Sequence, residues 1–164
     1  MVNLREVNHS NWMACIELDV HDFQRPFVSP NIFSLAEAYV HSDVNPSEAE
    51  KYYRCIPKVI YNDDELIGFT LITYEKECDY DDTPGYEIYR LMIDKKYQQQ
   101  GYGKEAVKQI IDYIKSFPYG KVEYIYASWH PENQASQKLC LGCGFEIVGK
   151  DDDGAIIGRL AIKE

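Results

Sequence analysis

Nowhere in the 164 residues is there a run of about 18 apolar side chains, the least that crosses a bilayer as a helix, so no membrane-spanning role is expected. The first residues, Met1 to Arg5, lack a basic stretch leading into an apolar one. No secretory signal is expected, and the expected location is cytoplasmic. Basic charge is also scarce: 17 Lys and Arg against 27 Asp and Glu leave a net charge of −10. Nucleic-acid affinity rests largely on basic groups that neutralise phosphates, which makes nucleic acid a poor candidate partner. An acidic surface attracts cations instead, polyamines and basic peptides among them, besides keeping a protein soluble.

Metal and redox signatures are missing too. The four histidines, His9, His21, His41 and His130, form no cluster in sequence. Five cysteines, Cys15, Cys55, Cys78, Cys140 and Cys143, are odd in number and irregular in spacing, unlike a disulfide framework. Cys140-Leu-Gly-Cys143 is formally a C-x-x-C. A zinc site would want a second pair or nearby histidines, and a thioredoxin-like pair would open a helix, whereas this one closes a helical stretch. No metal is expected. With no linker, repeat or shift in composition, residues 1–164 read as one domain.

What is present is a regular alternation of elements. Val2 to Val7 carries a weak edge-strand signal. Asn8 to Asn11 can cap a helix over Trp12 to Val20. Pro26 and Pro30 break the next segment, and Ser34 to Tyr39 reads as a short helix capped by Asn31 or Ser34. Val44 to Tyr53 is polar and ambiguous. Strands at Lys58 to Tyr61 and Leu66 to Tyr74 flank an Asn62-Asp-Asp-Glu65 turn, an acidic loop spans Glu75 to Pro84, and Tyr86 to Ile93 is a further strand. Ala106, Val107, Ile110, Ile111 and Ile114 fall at helical spacing within Lys104 to Lys115. A strand at Val122 to Ser128, a helix from Asn133 to Leu141, and strands at Phe145 to Lys150 and Ala155 to Ile162 complete the chain. The order β, α(α), β, β, β, α, β, α, β, β predicts an α/β fold with a mixed sheet.

The chemistry-bearing stretch runs from Leu91 to Lys104, where a strand ends, a glycine-bearing loop turns and a helix begins. Such a junction points several backbone N–H groups at one place, and the helix dipole adds partial positive charge, so it can cradle phosphate. Glycine allows the backbone to approach a pyrophosphate closely. The loop has neither the G-x-x-x-x-G-K-[ST] of a P-loop nor the G-x-G-x-x-G of a dinucleotide site.

Gln98-x-x-Gly101-x-Gly103 resembles the Q/R-x-x-G-x-G/A pyrophosphate loop of the GNAT acetyltransferases. Asn133-Gln-Ala-Ser-Gln-Lys-Leu139-Cys-Leu-Gly-Cys-Gly144-Phe145 resembles the same family's N-x-x-[AS]-x-x-L-Y-x-x-x-G-F. The element order matches that family from end to end. The resemblance implies a GNAT fold: a mixed central sheet of six to seven strands, about four flanking helices, and strands splayed at the cofactor site. It implies acetyl-coenzyme A as cofactor, with coenzyme A as product. Backbone groups of Leu91, Met92 and Ile93 would meet the pantetheine arm and acetyl carbonyl. The stretch Gln98, Gln99, Gln100, Gly101, Tyr102, Gly103 and Lys104 would wrap the pyrophosphate. Asn133 would touch the cofactor arm, and Lys138 could reach it or simply be solvated.

Acyl transfer to an amine needs a proton acceptor, because a protonated amine is no nucleophile. It also needs hydrogen-bond donors for the oxygen that gains charge. Glu87, with ten residues between it and Gln98, resembles the placement of the catalytic glutamate in histone-acetyltransferase-like members. It is the candidate base; a surface glutamate is the plainer reading. Cys140 stands where many relatives carry a tyrosine general acid, and it reads either as a weak acid or as a small buried side chain. Nothing around it supplies a base for a covalent route. Tyr89, Tyr97 and Tyr126, among 14 tyrosines, are alternative acids.

Phe27 to Asn31 with Ser34 to Tyr39 resembles bacterial spermine/spermidine acetyltransferases. On that resemblance Glu17, Asp19, Asp22 and Glu37 could offer carboxylates to a polycation, while Phe27 and Tyr39, with Trp12 and Phe33, could pack its methylenes; each carboxylate taken singly reads equally as a solvated helix face. The acceptor is expected to be a polyamine or similar small amine. A protein N-terminus or lysine is the alternative acceptor, and a non-catalytic coenzyme A-binding module the other reading. Members of the family often form homodimers.

Overall fold

A computed structural model describes residues 1–41, 53–78 and 83–162 of the protein. Seven strands form one sheet: β1 Val2–Glu6, β2 Tyr53–Asn62, β3 Glu65–Glu75, β4 Gly85–Ile93, β5 Tyr124–Trp129, β6 Glu146–Lys150 and β7 Ile156–Ala161. Four α-helices accompany them: α1 Trp12–Glu17, α2 Asn31–Val40, α3 Tyr102–Lys115 and α4 Gln134–Gly142. The spatial order is β1-β2-β3-β4-β5-β7-β6, and every neighbour is antiparallel except β4 and β5. The closing hairpin therefore inserts its second strand beside β5 and leaves β6 at the edge, exposed along its length.

β2 and β3 join through Asp63-Asp64, where Asp63 takes a φ of 53°, a conformation Asp tolerates better than most residues. Pro57 sits in β2 just past the point where β1 stops, since β1 pairs only as far as Lys58. The N–H that proline lacks would have faced an uncovered edge there. β3 is buried over Ile67 to Tyr74, because helices cover both faces of the sheet at its centre. On one face α3 buries Ala106, Val107, Ile110 and Ile114 at the spacing read from the sequence. Val107, Ile110 and Ile114 share a core with Tyr86, Ile88, Ile125, Ala127 and Trp129. On the other face α1 and α2 pack Cys15 and Ala38 against Phe69, Leu71 and Met92.

The N-terminal third departs from the sequence pattern. The first helix ends at Glu17, short of Val20, and Asp22–Phe27 forms a 3-10 helix that contains Pro26. The φ to which proline is locked fits a 3-10 turn as well as a break, so Pro26 did not interrupt it. α2 starts at Asn31, directly after Pro30. Asn31 and Ser34 do not cap it; both are buried inside it, and Asn31 donates from Nδ2 to the Cys15 carbonyl at 2.9 Å, tying α2 to α1. The ambiguous stretch after Val44 and the middle of the acidic loop lie outside the described residues.

Candidate active site

The parallel pairing of β4 with β5 spans only Tyr86–Ile125, Glu87–Tyr126 and Ile88–Ala127. At that point Tyr89 is an extra residue: Ile72 of β3 faces Ile88, while Leu71 faces Arg90. A bulge of this kind bends its strand and ends pairing. Beyond it a cavity of about 430 Å³ opens between the strands. Leu91, Met92 and Ile93 line one wall, Ser128 and Trp129 another, with Gln98, Gln99 and Gly103 at the start of α3 and Asn133 and Cys140 on α4. The expected splay is thus present, with its cause in the bulge at Tyr89.

The loop into α3 works through its backbone. Gln99 and Gly101 take positive φ, 61° and 86°, and the chain then enters the helix with the N–H groups of Tyr102 and Gly103 lacking intrahelical partners. Three of its side chains are held by hydrogen bonds to neighbouring elements. Gln98 donates from Nε2 to the Ile93 carbonyl and to Gln24 Oε1, each at 2.9 Å, which clamps the loop to β4 and to the 3-10 helix. Gln100 donates to the Lys96 carbonyl, and the Tyr102 hydroxyl accepts from Asn62. Gly103 faces the cavity, and a methyl there would meet only Leu139 at ordinary contact distance, so the space is open to a ligand. Asn133 caps α4, accepting from the Ser136 N–H at 3.2 Å, and borders the same cavity. Lys104 and Lys138 are exposed and do not line its walls.

A second cavity, about 470 Å³, adjoins the first. The two share Phe27, Val28, Tyr89, Arg90, Ser128 and Trp129 as walls, so these six residues form a threshold between them. Glu87 lines neither cavity. It is half-buried just behind the threshold and accepts a hydrogen bond from Ser128 Oγ at 2.7 Å. Of the alternative acids, Tyr89 alone stands at the threshold. Burial raises its phenol above the ordinary value, Glu37 and Glu87 add to the rise, and Arg90 opposes it. Tyr97 is spent on a hydrogen bond to Glu65 at the surface, and Tyr126 is buried with Cys78 and Ile157. Cys140 does border the first cavity, but burial pushes its thiol up to about 12. Such a thiol neither ionises readily nor gives its proton to an ordinary thiolate near 8.5.

The expected acidic acceptor pocket is not assembled. Asp19 is held by Arg25 at 2.7 Å and Lys95 at 3.0 Å, Asp22 faces Arg25 at 3.4 Å, and Glu37 pairs with Arg90, which also reaches Ser34. Hydrogen bonds from Arg25 and Lys95 hold the Asp19 carboxyl well below the usual carboxylate range. Glu17 is exposed on α1 and Tyr39 is 62% exposed on α2, both away from the two cavities. After the early end of α1, Asp19 and Asp22 meet the nearby Arg25, while Glu37 meets Arg90 of β4. Phe27 alone of that set reaches both cavities, its ring 5.5 Å from that of His130. Sequence reading passed over Ser128, Arg90 and Arg25; the one available signal was Ser128 itself, a small polar residue in the otherwise apolar Ile125–Trp129. Among the described residues no group of three or more His, Cys, Asp or Glu is placed to hold a metal, and no helix is long and apolar enough to cross a membrane.

Comparison with known proteins places this geometry. The sequence profile of the Acetyltransferase (GNAT) family matches residues 12–145. A probable spermine N(1)-acetyltransferase of Bacillus subtilis subsp. natto (strain BEST195) is 27% identical over 152 residues, 92% of this chain and 91% of that protein. A spermine/spermidine N(1)-acetyltransferase of Bacillus subtilis (strain 168) is 26% identical over the same extent. Among solved structures, an aminoglycoside acetyltransferase AAC(6')-Ib in complex with coenzyme A and kanamycin superposes with a TM-score of 0.71 at 18% identity, over 98% of this chain and 95% of that one. The last similarity is one of fold.

Proposed function

The chain belongs to the GNAT acetyltransferase family, and from that premise we propose that it moves the acetyl group of acetyl-coenzyme A to a primary amine of a polyamine such as spermidine or spermine. The observation that carries this reading is the meeting of two cavities at one polar threshold, the first walled by a parted pair of strands and the start of α3, the second open to an acceptor. When bound, acetyl-coenzyme A supplies a thioester as acyl donor. The residues present fit it: free N–H groups at the start of α3 suit a pyrophosphate, and the strand edge of Leu91 to Ile93, unpaired on the β5 side, suits an amide-bearing arm. Asn133 borders the same space.

Glu87 takes the proton of the acceptor ammonium, and Tyr89, whose phenol stays protonated through the neutral range, gives a proton to the departing sulfur. Arg90, fixed by Glu37 and Ser34 and lying 4.6 Å from the Tyr89 ring centre, positions that phenol. The polyamine identity draws on the two Bacillus relatives and on the net charge of −10, which concentrates cations near the surface. A cytoplasmic enzyme without nucleic-acid or membrane partners goes with the same reading.

The test is release of free thiol from acetyl-coenzyme A, with the acetylated product identified by mass spectrometry, across spermidine, spermine, amino acids and short peptides. Turnover with polyamines is expected. Turnover with peptides alone would move the acceptor to protein amines, and no turnover with any amine would overturn the proposal.

A further inference from the structure

The base proposed above does not touch the space where the amine must lie, and the structure contains a bridge between the two. On β5 the side chains of Ile125, Ala127 and Trp129 enter the core beneath α3, which leaves Tyr126 and Ser128 on the opposite face. Glu87 stands opposite Tyr126 in the parallel ladder, so Ser128 lies one pleat further along, towards the gap. Its hydroxyl donates to Glu87 Oε1 at 2.7 Å, and its residue lines both cavities while Glu87 lines neither. A hydroxyl has one proton to give and two lone pairs to accept with. With its proton committed to Glu87, Ser128 offers the threshold an acceptor. Of the other polar side chains of the threshold, the Arg90 guanidinium has no acceptor and does not deprotonate, and Tyr89 already serves as the proposed acid.

We infer that Ser128 is a catalytic residue that carries the acceptor's proton to Glu87. The inference rests on the acetyl transfer proposed above and on Glu87 as its base. In one step an N–H proton of the acceptor ammonium passes to Ser128 Oγ as the proton of Ser128 passes to a carboxylate oxygen of Glu87. The N–H bond breaks and its electron pair stays on nitrogen, free to attack the acyl carbon. Serine ends as a neutral hydroxyl and Glu87 as a neutral acid, which afterwards returns its proton to water. Several groups surround the pair. Thr73 of β3 and Tyr126 of β5 flank Glu87 in the ladder, and Tyr89 and the Arg90–Glu37 ion pair follow it on β4. Arg159 of β7 stands opposite Tyr126, and His130 is two residues past Ser128 on the chain.

The experiment compares Ser128→Ala, Ser128→Thr, Glu87→Gln and the Ser128→Ala/Glu87→Gln double variant with the wild-type chain. It uses acetyl-coenzyme A with spermidine, or with whichever amine the screen shows to be turned over. It records kcat, KM and the pH–rate profile, with coenzyme A binding by calorimetry as a check on the fold. Ser128→Ala should lose about 100-fold in kcat with little change in KM for acetyl-coenzyme A, the range of general acid–base catalysis. Its rate should recover as pH rises and the amine loses its proton unaided, so the acidic limb shifts upward. Ser128→Thr should restore most of the rate, and the double variant should be no slower than the slower single one, because the two groups act as a unit. A wild-type pH profile in Ser128→Ala, multiplicative losses in the double variant, or a threonine variant as slow as alanine with coenzyme A binding intact would each overturn the relay. A wild-type chain that turns over no amine overturns the acetyltransferase reading itself, a result these variants do not mimic.

Discussion

At the scale of single residues, the proposed chemistry is assigned to groups in and behind the threshold between the two cavities. Glu87→Gln should lower kcat by about 100-fold or more, most at low pH where the amine is fully protonated, as a pH series of thiol release will register. Tyr89→Phe should slow turnover by at least about tenfold while leaving coenzyme A binding by calorimetry unchanged, since the phenol is asked to act only on the departing sulfur. Its raised phenol keeps its proton below the ordinary value near 10, so the wild-type rate should show no loss of this acid between pH 7 and about 10. Cys140 presents the opposite case. With its thiol pushed up to about 12, the thiolate is scarce at pH 8. Cys140→Ser should stay within a few-fold of wild type, and alkylation by iodoacetamide at that pH should spare the site. Sequence comparison marked Cys140 as the place where relatives carry a tyrosine. The burial of Cys140 and the place of Tyr89 at the threshold, neither of which a sequence prints, are what favour Tyr89 in the proposed mechanism.

At the scale of elements, the bulge in β4 and the turn before α3 shape the cofactor cavity. Gly101 adopts a φ of 86°, and a Cβ built there would meet nothing within 4 Å. Any cost of Gly101→Ala is therefore backbone strain without steric clash, about 1–2 kcal/mol, visible as a lower Tm together with weaker coenzyme A binding. Gly101→Asn should recover part of both, because Asn visits the left-handed region more readily. The Q-x-x-G-x-G pattern falls on the turn between β4 and α3, where Gln98 also braces the loop against Ile93 and Gln24. α3 could be read from its helical spacing, α4 from its opening at Asn133, and the mixed sheet from the order of elements. The 3-10 helix could not, because its six residues are too few to show a period and Pro26 reads as a break from sequence alone.

At the scale of the whole molecule, the charge of −10 should make polyamine capture salt-dependent, with KM for spermidine rising as ionic strength increases. The acidic residues also hold the molecule together at a distance in sequence. Asp19 links Arg25 of the 3-10 helix to Lys95 past the end of β4. Its folded pKa lies below the unfolded value of about 3.9, so the stabilisation it brings is full above that pH and is lost as pH falls through the folded value. Asp19→Asn should therefore lower Tm modestly at pH 7, and the difference from wild type should close as pH drops below about 4. By itself the sequence determined the order of most strands and helices, the glycine-bearing turn before α3 and the family membership that two spaced motifs signal. Those features depend on neighbours along the chain, where hydrophobic period and glycine placement act directly. Only the tertiary structure decided that the four carboxylates of the N-terminal third do not line one pocket, that Ser128 reaches Glu87 just past the end of a parallel ladder, and that Tyr89 is the odd residue of a bulge. The first depends on where α1 ends, and the other two on the register of strands brought together from far apart in the chain, which is settled when the sheet assembles.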